Sequence, residues 1–427
     1  MNRHPMKSTL AAGLLAVAGA APAQDMLIRN ATVHTASGQG TLKNADVLVR
    51  NGRIAALGRG LGAGGAPVIE AEGRPLTPAL FAGITDIGVE EVSGESKTVD
   101  SQVALGQNGK DMQVRPEFDV TLAYNPESVL IPVARVEGFG WTMLAANPTS
   151  GGAFIGGQGG AFRFDGSLDP IGQRMLFVTL GADGARLTGG SRAAQWMILD
   201  QLLDEVRGRI APDSRFALLT PAGRATLARY FDGEGRIALG VHRAADIRRA
   251  LRWAKSRNAK IALVGASEAW KAASEIAAAR VPVFIDPLAN LPADFDQIAA
   301  TQENAARLRA AGVEVAFSLS DSASHYARKQ RQLAGNAVAH GMAWDDALAA
   351  LTRVPAEALG LAAEVGTIAP GRRADLVLWS GDPLDVAETA RQVWMGGRAV
   401  PMTSRQTQLR ERYLHRGETT LPPAYSR

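Results

Sequence analysis

Residues 260–287 read KIALVGASEAWKAASEIAAARVPVFIDP, and this pattern predicts how most of the chain folds. The apolar runs at 260–264 and 281–285 favour buried strands, and the alanine-rich stretch between them favours a helix. A helical stretch at 302–311 and another apolar run at 313–319 continue the alternation. Such alternation is typical of parallel βαβ units. About 280 residues of these units fit an α/β fold of the TIM-like (β/α)8 barrel type better than an open sheet.

The two ends of the chain have a different texture, with short apolar runs between turn signals. Near the start, Asn51-Gly52 separates two such runs and predicts a two-residue hairpin turn. Similar runs return after Pro370-Gly371. We therefore expect a small β-sandwich domain built from residues 25–76 and 365–402 around a barrel at 77–364. Residues 403–427 are expected to form a surface tail.

The first residues have the order of a secretory signal peptide. Arg3 and Lys7 precede an apolar run at 10–20, which ends in Ala21-Pro22-Ala23. We expect cleavage after Ala23 and a periplasmic or secreted mature protein. The apolar run is too short to remain as a membrane anchor, because crossing the hydrocarbon takes about 20 residues.

Composition excludes several classes of function. The chain has 427 residues, a formal net charge of +4 and no cysteine. Removing Arg3 and Lys7 leaves about +2, which is too balanced for an electrostatic nucleic-acid surface. The absence of cysteine excludes disulfides, zinc–thiolate sites and a cysteine nucleophile. We therefore expect that the protein does not bind nucleic acid and has no membrane anchor. Either a homo- or a hetero-oligomer is compatible with the sequence.

The sequence does not support a nucleotide-binding loop or a serine nucleophile. The glycine-rich run at 151–160 lacks both the Gly-Lys-Ser/Thr of a P-loop and the helix entry of a dinucleotide site. We interpret this run as a flexible or tightly turned loop of the barrel. No G-x-S-x-G elbow occurs in the chain, so a serine hydrolase of that type has no support.

Residues 125–128 and 131–135 resemble secreted members of the imidazolonepropionase-like group of amidohydrolases, and three other segments resemble the amidohydrolase superfamily more broadly. These segments are GRIAALG at 52–58, LTPAL at 76–80 and GTIAPGRRADLV at 366–377, of which the last is the most specific. The resemblance implies a barrel with a composite β-domain. It also implies a divalent metal site at the C-terminal mouth of the barrel, and hydrolysis of C–N bonds in cyclic amides or dipeptide-like substrates.

The metal ligands that the resemblance implies are largely missing. The two histidines of the first strand correspond to Ile84 and Asp86, and the histidine of the sixth strand corresponds to Gly265. That of the fifth strand corresponds to Gly240, with His242 two residues later. Of six histidines in the chain, three lie in the barrel (His242, His325 and His340), so a four-histidine binuclear site cannot form.

Several residues remain as candidates for the site. The resemblance matches Asp321 to the aspartate of the eighth strand that moves the proton, and His242 is the second catalytic candidate. Arg243 and His325 are expected to bind substrate. Alternatively, His242 is a hydrogen-bonded structural histidine, and Asp321 is the N-cap of a helix. We interpret Glu90-Glu91 as a solvated loop, with general-base catalysis as the alternative.

No cofactor is predicted with a defined ligand set. Asp86, Asp286 and Asp321 follow predicted strands, and with His242 they could hold one Mg²⁺, Ca²⁺ or Mn²⁺ through oxygen ligands. Each aspartate could equally start a loop. The sequence thus leaves two hypotheses open. One is an exported amidohydrolase-family hydrolase with a depleted or altered metal site, acting on a small molecule. The other is a catalytically inactive binding module, or the partner subunit of an active relative.

Overall fold

A computed structural model of the chain describes residues 25–104, 114–149, 152–319 and 323–414. The strands within these residues are, in chain order, β1 (Met26–His34), β2 (Thr41–Arg50), β3 (Arg53–Gly58), β4 (Val68–Glu70), β5 (Pro75–Pro78), β6 (Leu80–Thr85), β7 (Phe139–Leu144), β8 (Ile155–Arg163), β9 (Ile171–Thr179), β10 (Arg236–Val241), β11 (Ile261–Gly265), β12 (Val283–Ile285), β13 (Val315–Phe317), β14 (Leu376–Trp379), β15 (Ala390–Met395) and β16 (Arg398–Ala399).

The helices lie mostly between the strands of the barrel. In chain order they are α1 (Leu130–Arg135), α2 (Gly181–Arg186), α3 (Arg192–Val206), α4 (Pro221–Phe231), α5 (Ala244–Arg257), α6 (Ala273–Ala279), α7 (Asn304–Ala310), α8 (Ala323–Tyr326), α9 (Gln330–Ala339), α10 (Trp344–Ala349), α11 (Arg353–Ala358) and α12 (Arg405–Leu414). Short 3-10 turns occur at Ser96–Thr98, Val120–Ala123, Ala269–Ala272 and Ala327–Lys329.

One sheet joins strands from both ends of the chain, in the order β16-β15-β14-β5-β1-β2-β3, with β4 paired to β1. The two ends meet where β14 pairs antiparallel with β5. The predicted turn between β2 and β3 is confirmed, because Asn51 and Gly52 have φ values of 49° and 74°, as a type I′ turn requires. The domain boundaries that we placed at 76–77 and 364–365 stay a prediction.

The second sheet runs from β6 to β13 in chain order and curves into a nearly closed barrel. The predicted α/β class with a TIM-like barrel and a second domain is confirmed. One strand departs from the (β/α)8 pattern, since β8 runs antiparallel to both β7 and β9. The remaining neighbours are parallel, so their C-terminal ends meet at one mouth of the barrel.

The prediction of a loop at 151–160 was wrong, because most of this glycine-rich run belongs to β8. The glycines are explained by close packing against the end of β7. A Cβ at Gly159 would overlap the carbonyl oxygen of Leu144, and one at Gly156 would overlap that of Ala146. The run is therefore a strand in which glycine is required, because a side chain would prevent the close approach of the backbone at and after the end of β7.

Residues beyond β13 complete the barrel between its first and last strands. The backbone N–H of Phe81 in β6 donates to Leu351 O at 2.7 Å, and that of Phe317 in β13 donates to Ala350 O at 3.1 Å. At the mouth, the N–H of Ile84 donates to the hydroxyl of Ser318 at 3.0 Å. These bonds satisfy backbone groups that would otherwise be orphaned at an open sheet edge.

Aromatic side chains fill the barrel interior below the mouth. Phe81 lies 4.5 Å from Trp141 and 6.3 Å from Phe284, measured between ring centroids, and all three are buried. The barrel is thus a packed core rather than a channel. In the part of the chain that the structure describes, no helix is long and apolar enough to cross a membrane.

Candidate functional site

A cavity of about 420 Å³ opens at the C-terminal mouth of the barrel. Its wall includes the ends of β6, β9, β10 and β11 and the segments that follow β7 and β13. The polar side chains that line it are Thr85, Asp86, Glu90, Ser93, Asn147, Thr179, His242, Ser318, Ser324 and His325. In barrels of this kind the reactive groups come from these strand ends, so this cavity is the candidate active site.

Asp86 follows β6 and is held on one side of the cavity by neutral groups. Asn147 Nδ2 donates to both carboxylate oxygens at 2.9 Å, and Ser101 Oγ donates at 3.3 Å. The backbone N–H of Asp86 donates to Ser324 Oγ at 2.9 Å. Burial, followed by the nearby charge of Glu90, raises the pKa of Asp86 to about 7. Near neutral pH, Asp86 can therefore either give or take a proton.

Glu90 lies beside Asp86 and also lines the cavity. Its side chain is 12% exposed, and its Oε1 lies 3.4 Å from His325 Nε2. The interpretation of Glu90 as part of a solvated loop was wrong, because its side chain is largely buried and lines the cavity. Glu91 points elsewhere and accepts a hydrogen bond from the backbone N–H of Val129 at 3.2 Å.

His242 lies on the β10 side of the same cavity, and its hydrogen bonds define its tautomer. Its Nδ1 lies 2.8 Å from Ser267 Oγ, and the Ser267 hydroxyl donates to Gln297 Oε1 at 2.9 Å. Gln297 Nε2 donates to Asp294 Oδ2 at 3.2 Å, which orients the amide. Because the single hydroxyl proton of Ser267 goes to Gln297, the Ser267 oxygen accepts a hydrogen bond from the Nδ1–H of His242.

The tautomer leaves His242 Nε2 with a lone pair. This nitrogen has no hydrogen-bond partner among the described residues, and the ring lines the cavity. Burial lowers the pKa of His242 below its ordinary value, although Asp294, Asp183 and Asp296 act in the opposite direction. His242 is therefore neutral near pH 7 and presents a basic nitrogen, as a general base requires.

The side chains at the mouth do not fit the metal site that the resemblance implies. Within 25–104, 114–149, 152–319 and 323–414, no group of three or more His, Asp or Glu is arranged to hold a metal ion. Moreover, a Cβ at Gly265 would lie 2.5 Å from His242 Cε1 and 2.9 Å from Nε2. The imidazole of His242 thus occupies the space that a histidine at 265 would need.

The other predicted residues fall in different places. Asp321 lies outside the described residues. Arg243 forms an ion pair with Asp246 at 3.0 Å and is not part of the described wall of the cavity, whereas His325 is. Asp286 accepts a hydrogen bond from the N–H of Leu288 at 2.9 Å, as a residue that starts a loop does. The roles assigned to Asp321, His242, Arg243 and His325 stay predictions.

Sequence reasoning missed Asn147, Ser267 and Gln297. Asn147 follows β7 as Asp86 follows β6, so the rule that polar residues after parallel strands face the mouth would have found it. Ser267 follows β11 in the same manner. Gln297 has no comparable signal, because it lies in the long segment between β12 and α7, whose path only packing determines.

The comparison with protein families matches the chain to the Amidohydrolase family over residues 224–403. Among curated proteins, Amidohydrolase tasK from Hapsidospora irregularis is 42% identical over 60 residues. The matched stretch is 14% of this chain and only 6% of that relative. This likeness is therefore local, and the activity of the longer protein does not transfer to this chain.

Solved structures match almost the whole chain. An amidohydrolase from Thermotoga maritima MSB8 is similar over 88% of this chain and 99% of its own, with 25% identity and a TM-score of 0.76. Molinate hydrolase is similar over 89% of this chain and 95% of its own, with 15% identity and a TM-score of 0.54. The second likeness supports the fold alone. Taken together, the family match over residues 224–403 and the fold shared with the Thermotoga protein support the assignment of this chain to the amidohydrolase superfamily.

Proposed function

We propose that this protein is an exported hydrolase that cleaves a C–N bond of a cyclic amide or a dipeptide-like substrate, and that its metal site is depleted or altered. One observation carries the proposal: a neutral His242 with a basic Nε2 and an Asp86 with a pKa of about 7 line the same cavity. Superfamily membership supplies the reaction class. The surroundings of the two side chains shift the pKa of Asp86 up and that of His242 down, and such opposite shifts are typical of a general acid and a general base in one site.

In the proposed reaction, His242 Nε2 removes a proton from water as the water oxygen attacks the amide carbon. The C–N bond then breaks, and protonated Asp86 donates its proton to the departing nitrogen. Ser267 keeps the Nδ1 proton of His242 in place throughout. Proton transfer by a positioned side chain typically accelerates such a step by about 10²–10⁴-fold.

A second candidate is a binding module, or the inactive partner subunit of an active relative. The residues at the family's metal-ligand positions favour this second candidate. The side chains of Ile84 and Gly265 offer no atom that could ligate a metal, and the ring of His242 fills the space beside Gly265. In that case the same cavity would bind the small molecule without turning it over.

The decisive experiment measures hydrolysis of a panel of lactams and dipeptides by the mature protein, together with its metal content. We expect turnover that chelator does not abolish, and less than about 0.2 equivalents of tightly held zinc, because too few nitrogen ligands are present. His242→Gln should lower the rate by about 10²–10⁴-fold. His340→Gln is the matched control, because His340 Nδ1 is occupied by the carbonyl of Asn336 at 2.8 Å, at the end of α9.

The outcomes separate the two candidates. Binding without turnover, unchanged by His242→Gln, would support the binding module. Stoichiometric zinc whose removal abolishes turnover would contradict the altered metal site. Export has its own test, since the N-terminal sequence of protein recovered from the periplasm should start at Gln24. An intact Met1 on that protein would contradict export.

A further inference from the structure

The charged side chains that line the described wall of the cavity are unbalanced in sign. Asp86 and Glu90 both line it, whereas the described residues contribute no lysine or arginine. His242 does not offset this imbalance, because its tautomer and its burial keep it neutral. His325 lies beside Glu90, 3.4 Å from its Oε1. A ligand in this cavity therefore meets carboxylates on one side.

Arg243 and Arg192 are engaged in ion pairs of their own. Arg243 follows His242 but forms an ion pair with Asp246 at 3.0 Å. Arg192 contacts Asp296 and lies 3.5 Å from Asp246 Oδ2. A substrate carboxylate would therefore find no guanidinium to bind within the described wall, and it would be repelled by the carboxylate of Glu90.

The two carboxylates differ in how fully they are satisfied. The oxygens of Asp86 accept hydrogen bonds from Asn147 and Ser101. Glu90 has only His325 beside its Oε1, and its Oε2 has no hydrogen-bond partner among the described residues. Glu90 therefore retains the larger capacity to accept hydrogen bonds from a ligand, and a cationic N–H donor gives the strongest such bond.

We propose that the substrate carries a positively charged amine or amidine close to the scissile amide, and that Glu90 binds this group. The inference rests on the proposed function, in that it takes the cavity as the substrate site. It specifies that the substrate is positively charged, and it excludes amides that carry a carboxylate at the position of the amine.

Three lactams with one ring and one substitution site test the charge preference: 6-(aminomethyl)piperidin-2-one, 6-methylpiperidin-2-one and 6-oxopiperidine-2-carboxylate. Titration calorimetry at pH 7.5 should give a dissociation constant at least about tenfold lower for the amine than for the neutral lactam, the equivalent of one modest charged contact. The carboxylate should not bind measurably. Raising the salt from 0.05 to 0.5 M should reduce the preference, because salt screens a charge interaction.

Glu90→Gln should abolish the preference for the amine while the neutral lactam binds as before. Glu91→Gln is the matched control, because Glu91 faces the N–H of Val129, and it should retain the preference. If Glu90→Gln does not fold, the ranking of the three lactams by the wild type and its salt dependence still decide. Equal or tighter binding of the carboxylate would overturn the charge preference and leave the proposed hydrolysis standing. Failure of all three to bind, with no turnover of any amide, would overturn both.

Discussion

Two inward-facing carboxylates of this molecule have opposite surroundings. Asp375 lies where the composite sheet meets the barrel, and Arg373 Nε donates to its two oxygens at 2.9 and 3.0 Å. The N–H of Gly396 adds a third bond at 2.6 Å. Asp86, at the mouth of the barrel, has neutral donors from Asn147 and Ser101 and no basic partner in the described residues.

The difference shows which carboxylate stabilises the fold and which is available for chemistry. Burial raises the pKa of both aspartates, but Arg373 opposes that shift at Asp375. Arg373 also pairs with Asp165 at 2.6 Å, so one guanidinium serves two buried acids. At Asp86 the desolvation is left largely uncompensated, as is common for acids that transfer protons.

The largest effect should come from removing the shared cation. Arg373→Met would leave Asp375 buried without its paired guanidinium and Asp165 with Arg163 at 3.4 Å as its remaining counter-charge. We expect the free energy of unfolding to fall by about 3–5 kcal/mol. Urea denaturation measures it. Arg229→Met is the control, because Arg229 and Glu234 form an exposed pair that should contribute less than about 1 kcal/mol. Equal losses in the two variants would show that Arg373 does not compensate the buried acids.

A smaller, pH-dependent effect should appear at Asp86. Its pKa is about 7 in the folded protein, above the ordinary value of 3.8, so the folded state holds the proton more tightly than the unfolded state. Stability from this group is fully present below pH 3.8 and is lost as the pH rises towards 7. Relative to Asp86→Asn, the wild type should therefore gain about 2–3 kcal/mol between pH 8 and pH 5. Urea unfolding of both proteins at these two pH values measures the difference, and an identical difference at both would contradict an elevated pKa.

The smallest effect should come from Ser267, which acts on the mouth through His242. Ser267→Ala removes the acceptor of the Nδ1 proton, so we expect His242 to populate the other tautomer and hydrolysis to slow by about tenfold, as is typical for partners that orient a histidine. The ¹⁵N spectrum of labelled histidine reports the tautomer directly. Ser256→Ala is the control, because that hydroxyl donates to the carbonyl of Trp253. A slower rate with an unchanged histidine spectrum would assign Ser267 a merely structural role.

Local patterns in the sequence determined most of the architecture. The apolar runs at 260–264 and 313–319 predicted β11 and β13, and Asn51-Gly52 predicted its hairpin, because strand periodicity and turn chemistry depend on near neighbours. Residue identity alone also determined that Ile84 and Gly265 cannot bind a metal.

Tertiary structure decided the features that depend on distant backbone. The glycine-rich run became β8 because it packs against the carbonyls that end β7 and follow it, which no local propensity encodes. Glu90 became part of the cavity because tertiary packing places it beside His325, 235 residues further along the chain. The tautomer of His242 depends on Ser267, 25 residues further along the chain, and through Ser267 on Gln297, another 30 residues on. Only packing brings these groups to the imidazole ring, and the acceptor that it brings determines which nitrogen carries the proton.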